Sequence, residues 1–244
     1  MEKHTDHVAL IFAGGVGQRM KNKTKPKQFL ELYGKPIIIY TLEVYEQHPE
    51  IDGIVIACVA GWQEYLEKLI RKYDITKVKA IVPGGATGQE SIRNGVYKIH
   101  ELYPEDSLVL VHDGVRPLIE MEDITGNIRC AEEKGNAVTV APVVETVGTK
   151  GASENETSQI FERDKCLLLR APQTFRLKEF YETHKKAEAA GRNDFIDSAC
   201  LMKAYGFRLY TVMGGVENIK ITTPMDFYIF RAIVDARENS QVFG

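Results

Sequence analysis

Apolar and polar positions divide the chain into short apolar runs and longer amphipathic stretches, separated by Gly, Pro and Asp. Residues 8–12 and 54–59 are apolar without alternation, the pattern of strands buried on both faces, and residues 78–82 read as a third strand. Between them, residues 36–48 open on Pro36, which suits a first helical turn. Residues 62–73 place Tyr65, Leu66, Leu69, Ile70 and Tyr73 at helical spacing with charges between them, predicting an amphipathic helix. The third strand runs into Pro83-Gly84-Gly85, and Ile92, Val96 and Ile99 mark one face of the helix that follows. Strand alternating with helix is the rhythm of a parallel sheet.

The same pattern continues. Residues 108–111 deliver His112-Asp113 to a strand end, where Gly114 and Pro117 break regular structure. A helix is expected over 123–134, ended by Gly135, and a strand over 137–142. Residues 143–164 change character: two short strand-like pieces flank a polar Gly/Ser/Asn tip, a hairpin with a longer loop. A lone hairpin is marginal in water, so it is expected to rest on something, such as a second subunit. Residues 166–170 read as a strand, 177–190 and 196–205 as helices, 208–212 as a strand, and Pro224 opens a last helix to about residue 236. No repeat or low-complexity segment interrupts this. With 244 residues, the expectation is a single domain over 1–244, with 143–165 as an arm within it.

Composition narrows the function classes. Hydrophobic content of 44% and charged content of 27% are ordinary for a globular protein, and a net charge of −3 gives no general attraction to nucleic acid or anionic membrane. No apolar run approaches the ~20 residues of a membrane helix, and the polar amino terminus lacks the apolar core of a signal peptide. Cys58, Cys130, Cys166 and Cys200 have no zinc-type spacing. Cys58 and Cys166 lie in apolar runs and are expected to be buried free thiols, which points to a reducing, cytoplasmic setting.

The candidate chemistry begins directly after the first strand, at Ala13-Gly14-Gly15-Val16-Gly17-Gln18-Arg19-Met20, followed by Lys25-Pro26-Lys27-Gln28. Glycines let backbone N–H groups approach anionic oxygens, and Arg19, Lys25 and Lys27 add positive charge, so the stretch suits a polyphosphate. Arg19 stands where a dinucleotide fingerprint needs glycine, and no Gly-Lys-Ser/Thr follows at P-loop spacing. At the second glycine junction, Ser91 can bond a nucleotide edge, though helix-start chemistry is the favoured reading. Asp113, at a strand end, can ligate Mg²⁺ or cap the following turn. Arg116 can pair with phosphate or with Asp113, and His112 reads as a structural hydrogen bonder. Lys220, between Ile219 and Ile221, points away from both, either as an edge-strand gatekeeper, the commoner case, or towards a phosphate.

Taken in order, the glycine loop, Pro26-Lys27-Gln28, Gly84-Gly85 with Ser91, His112-Asp113-Gly114-Val115-Arg116-Pro117, Ala171-Pro172-Gln173 and Asn218-Ile219-Lys220-Ile221-Thr222 resemble the cytidylyltransferases that make CDP-linked polyols. The resemblance implies a Rossmann-like α/β nucleotidyltransferase sheet, mostly parallel, with a protruding β-hairpin arm. It implies CTP and a polyol phosphate as substrates, Mg²⁺ on Asp113 as cofactor, and a homodimer formed through the arm. Ala13, Gly14, Gly15 and Gly17 would line the CTP site, Arg19 and Lys27 its phosphates, and Gly84, Gly85 and Ser91 the cytosine end. Arg116 would lie close to Asp113, and Lys220 would reach the reacting phosphates. Thr146 and Arg163 would contact the polyol phosphate held by the partner.

Three positions depart from the family pattern: Ala86-Thr87-Gly88 where acidic and Arg residues are usual, Ile196 before Asp197, and Ala171 before Pro172. The Ala-Gly-Gly opening and the Asn-Ile-Lys-Ile-Thr-Thr-Pro ending are closer to the ribitol 5-phosphate branch than to the 2-C-methyl-D-erythritol 4-phosphate branch. The departures also leave open a nucleotide-binding protein without turnover, and a sugar-1-phosphate nucleotidyltransferase shares the glycine loop.

Overall fold

The sheet begins with β1 (His7–Ala13), after which come a short hairpin of β2 (Glu31–Leu32) and β3 (Lys35–Pro36), helix α1 (Ile37–Gln47), β4 (Gly53–Cys58) and α2 (Gln63–Lys72). β5 (Val78–Pro83), α3 (Gly88–Leu102), β6 (Leu108–Asp113), α4 (Met121–Lys134) and β7 (Asn136–Pro142) follow. A separate hairpin of β8 (Gly148–Lys150) and β9 (Thr157–Ile160) precedes β10 (Leu167–Arg176), α5 (Leu177–Ala189), α6 (Ser198–Ala204), β11 (Thr211–Met213) and α7 (Pro224–Phe243). The structure, a computed structural model, describes residues 4–15 and 25–243, with side chains to residue 239.

Among the described residues, seven strands form the main sheet in the order β11-β7-β10-β6-β1-β4-β5. All neighbours are parallel except β10, which runs antiparallel between β6 and β7. Side chains of β1 leave alternately on two faces. Ala9, Ile11 and Ala13 pack on one side with α1, α2 and α4, while Val8 and Leu10 pack on the other with α3, α5 and α6. The unbroken apolar run of β1 is therefore required by burial on both sides. Ile37, Ile38 and Ile39 are fully buried in succession because α1 is covered twice: Ile38 and Ile39 face the sheet, whereas Ile37 joins Phe230 of α7 and Ile221. Each such side chain contributes roughly 1.5–3 kcal/mol on burial.

Four expectations are adjusted. The helix expected from residue 196 starts at Ser198, because the Asp197 carboxylate accepts from the Cys200 amide at 2.8 Å and caps it. The strand expected over 208–212 shortens to Thr211–Met213, since the Asn136 side chain binds the Arg208 carbonyl (2.9 Å) and the Tyr210 amide (3.1 Å) in place of a backbone ladder. β10 continues well past residue 170, through a cis Ala171–Pro172 bond where its register with β7 shifts. Cys166 is not buried but half-exposed: the apolar run after it, Leu167 to Leu169, points outward at 44–47% exposure from the base of the arm. Cys58 is buried as expected, and burial pushes its thiol up to about 12.

Candidate functional site

The order of strands decides where a ligand can sit. From β1 the chain moves outward to β4 and β5, then returns to place β6 on the other side of β1, so the topology switches direction between β1 and β6. Open α/β sheets bind ligands beyond the carboxyl ends of their strands at such a point. Asp113 ends β6 beside Phe12, and Ala13 ends β1 beside Cys58. Both lead directly into the sequence-predicted chemistry.

The loop after β1 is held from several directions. The Ala13 carbonyl accepts from the Val59 amide at 3.1 Å and from the Gln28 side chain at 2.7 Å. Gln28 is buried in a 3-10 turn, Lys27–Phe29, that is anchored by Phe29 stacking on Trp62 and edge-on to Tyr65. That turn aims Lys27, whose ammonium donates to the Ile221 carbonyl at 3.1 Å. Gly14 has no room for a side chain: a Cβ there would lie 2.7 Å from Ser91 Oγ and 2.9 Å from the Phe12 ring. Gly84 approaches the same serine and the Gly14 backbone, and its amide donates to the Cys58 carbonyl. Ser91 accepts from the Gly85 amide (2.9 Å) and donates to the Thr87 carbonyl (2.9 Å), while Thr87 caps α3 by accepting from the Glu90 amide. Gly14, Gly84, Gly85 and Ser91 thus form one close-packed junction, with the helix-start role of Ser91 plainly present. A Cβ on Gly15 would meet nothing within 4 Å.

A second cluster lies across Phe12. Asp113 Oδ2 accepts from Arg116 Nε at 2.9 Å, and Oδ1 pairs with Lys220 at 2.7 Å. Burial favours the neutral acid, but the Lys220 ammonium and the Arg116 guanidinium outweigh it and hold the carboxyl well below the usual carboxylate range. His112 points to the interior, with Nε2 on the Arg116 carbonyl at 3.2 Å, and burial lowers it to about 4. It is therefore neutral and structural. Lys220 is not on an edge strand: residues 218–222 form a loop, in which Ile221 is fully buried and its amide donates to the Val115 carbonyl. The opposed directions of Lys220 and its isoleucine neighbour are as the alternation predicted.

The loop carrying Lys220 is fixed by residues that residue types alone did not single out. Buried Asn218 donates to the Ala171 carbonyl at 2.7 Å, and its own carbonyl accepts from Arg116 Nη1 at 2.8 Å. Gln173 joins Asp197 (3.1 Å) to the Ala199 amide (2.8 Å). Asn218 and Gln173 stand inside recognisable motifs, whereas Arg170 ends an apolar run and carried no signal. Asp113, Arg116, Lys220, Arg170, Ile196 and Asp197 all border one cleft. Ile196 is 92% exposed there.

Other expected residues stand apart. Gly17 and Arg19 lie outside the described residues. Lys25 pairs with Glu31 at 2.6 Å and sits over the Tyr65 ring. Thr146 and Arg163 are exposed on the arm and do not border the cleft of their own chain. Among the described residues, the one group of three His/Cys/Asp/Glu side chains spaced for a metal is His4, Asp6 and Asp52, at the opposite, amino end of β1 and β4. No helix among the described residues is long and apolar enough to cross a membrane.

The profile of the 2-C-methyl-D-erythritol 4-phosphate cytidylyltransferase family matches residues 7–236. A ribitol-5-phosphate cytidylyltransferase of Vibrio parahaemolyticus is 52% identical, covering 98% of this chain and 100% of its own. Another from Streptococcus agalactiae is 46% identical over 98% and 99%. A 2-C-methyl-D-erythritol 4-phosphate cytidylyltransferase of Alkaliphilus metalliredigens is 36% identical over 95% and 94%. Among solved structures, 4-diphosphocytidyl-2C-methyl-D-erythritol synthase from Anaerococcus prevotii superposes with a TM-score of 0.80 at 25% identity, covering 95% of this chain and 97% of that one.

Proposed function

Because this chain belongs to the 2-C-methyl-D-erythritol 4-phosphate cytidylyltransferase family and is a nucleotidyltransferase, we propose that it transfers CMP from CTP to ribitol 5-phosphate, releasing pyrophosphate, with Mg²⁺ as cofactor. The observation that carries the choice of acceptor is the 52% identity, over nearly the whole chain, to a ribitol-5-phosphate cytidylyltransferase. The glycine junction of Gly14, Gly84, Gly85 and Ser91 holds the nucleotide, with Ala13, Gly15 and Gly17 in the same loop. Arg19 and Lys27 hold its phosphates, and Lys220 and Arg116 face the acceptor side. The free thiols suit a reducing, cytoplasmic compartment.

The chemistry follows from the charges. A phosphate monoester has its second pKa near ~6, so the acceptor is already a dianion at neutral pH and needs no base. Its oxygen attacks the α-phosphorus of CTP, the bond to the β-phosphate bridging oxygen breaks, and pyrophosphate leaves with that electron pair. Two anions must be brought together, so the protein's contribution is orientation and positive charge placed where negative charge builds up. Lys27 and Lys220 converge on one loop and are suited to that. Neutral His112 takes no part as a base. For Mg²⁺ the donor type fits, since Asp113 is an ionised hard-oxygen donor at the cleft and this ion commonly takes one or two carboxylates with substrate phosphates; because the two oxygens pair with Arg116 and Lys220, the ion would replace one of those partners. When bound, Mg²⁺ supplies neutralisation of phosphate charge.

The chain acts as a homodimer in this reading. The arm exposes Ile160 at 70% and Val144 at 73%, and its base exposes Leu167 to Leu169, an apolar surface of the kind that marks an interface. Thr146 and Arg163 then reach the partner's acceptor. The test is pyrophosphate release from CTP and Mg²⁺ with a panel of polyol phosphates. Turnover of ribitol 5-phosphate is expected, and its suppression by EDTA. Turnover of 2-C-methyl-D-erythritol 4-phosphate instead would reassign the acceptor, and CTP binding with no product from any polyol phosphate would make the chain a binding protein.

A further inference from the structure

Arg170 lies on β10 directly before Ala171, on the wall of the cleft that contains Asp113. Among the described residues its bonds leave from one nitrogen: Nη1 donates to the carbonyls of Gly215 (3.1 Å), Val216 (2.9 Å) and Asn218 (3.3 Å). Among the described residues, Nε and Nη2 have no hydrogen-bond acceptor, and no carboxylate pairs with this guanidinium. Arg116 differs, because its charge is matched by Asp113 at 2.9 Å.

The two guanidiniums share the Asn218 carbonyl, so their Nη1 atoms are at most about 6 Å apart. Two like charges this close repel each other, and desolvation adds to the cost. Burial, and then the charge of Arg116, work against the protonated form of Arg170 and push its pKa down, the Asp123 carboxylate offsetting part of this without forming an ion pair. An arginine held rigidly in an unfavourable charged state at a cleft wall is a site prepared for an anion. Its planar fork matches two oxygens of one phosphate.

Strand order says which anion. Asp113 on β6 separates β1 and β5, which lead into the glycine loops, from β10, which carries Arg170. Arg170 is thus on the side away from the nucleotide loops. We infer that Arg170 binds the phosphate of the acceptor, a phosphate monoester dianion, through Nε and Nη2, beside Arg116. This rests on the transferase reading above, and it adds a binding residue that no family motif supplied.

The test compares Arg170→Met and Arg170→Lys with the wild type, using whichever polyol phosphate the wild type turns over. In Arg170→Met, KM for the acceptor is expected to rise at least tenfold while KM for CTP stays within twofold. Arg170→Lys keeps a cation but not the fork, and is expected to show a smaller rise. Calorimetric titration with the acceptor alone should show the same loss of affinity without turnover. If Arg170 merely tethers residues 215–218, its loss lowers the melting temperature and kcat, Arg170→Lys is no better than Arg170→Met, and KM for the acceptor changes no more than KM for CTP; that result overturns the inference. Should Arg170→Met fail to fold, an acceptor KM in Arg170→Lys within twofold of the wild type overturns it equally. A wild type inactive with every polyol phosphate overturns the underlying transferase reading instead.

Discussion

Lys27 joins two parts of the chain that are 194 residues apart, because its ammonium reaches the Ile221 carbonyl beside Lys220. Losing one partly buried hydrogen bond costs the fold only about 1 kcal/mol. Losing a cation aimed at a charge that develops during reaction costs more, about 3 kcal/mol or ~100-fold in rate. Lys27→Ala is therefore expected to lower kcat at least ~100-fold with little change in melting temperature. Turnover and thermal unfolding measured on the same preparation check this, and near-normal kcat would mean that the turn is structural only. Lys27 was legible in the sequence, because a cation beside a glycine loop is unusual enough to notice. Asn218 was visible only as a letter in a motif, since a buried amide gains its meaning from the Ala171 carbonyl it binds.

At the scale of elements, the loop after β1 and the start of α3 lock together through Gly14 and Ser91. In Gly14→Ala, the new Cβ would lie 2.7 Å from Ser91 Oγ and 2.9 Å from the Phe12 ring, so the backbone must move. Overpacking of this kind costs about 1–3 kcal/mol. CTP affinity is expected to fall at least ~10-fold, equivalent to about 1.4 kcal/mol, and Ser91→Ala in the same protein should recover part of it. Calorimetric CTP titration measures both, and an unchanged affinity would show that the junction does not grip the nucleotide. The arm poses the complementary question. Among the described residues its two strands pair with each other alone, they are exposed throughout, and such a hairpin is marginal by itself. With Ile160→Asp and Leu168→Asp together, light scattering is expected to change from dimer mass to monomer mass, with acceptor turnover lost. A wild-type monomer would remove the basis for the partner's contribution through Thr146 and Arg163.

Across the whole molecule, stability is tied to pH through buried histidine. His184 is 1% exposed, neither ring nitrogen has a hydrogen-bond partner among the described residues, and burial, with the charge of Arg93 adding to it, lowers it to about 3. The unfolded chain takes up this proton near the ordinary pKa of ~6.5, while the native protein refuses it down to about 3. Between these values the unfolded state binds more protons, so stability rises with pH and falls on acidification. From pH 6.5 to 5 the loss is about 2 kcal/mol for this one group. Urea unfolding of the wild type and His184→Leu at pH 7 and pH 5 checks the sign: the variant should lose less stability over that interval. What the sequence determined by itself was the alternation of strand and helix, the glycine junctions, the hairpin and the identity of most cations, because apolar periodicity and backbone freedom are local properties. It also carried the resemblance, since motifs survive in order along a chain. Only the tertiary structure decided that Asp113 is shared by Arg116 and Lys220, that Lys220 sits on a loop and not an edge strand, and that the leucines after Cys166 face outward. Those outcomes depend on which strand lies beside which. β6 returns to the far side of β1 and β10 inserts antiparallel next to it, so residues more than fifty positions apart become neighbours, and no local pattern specifies that order.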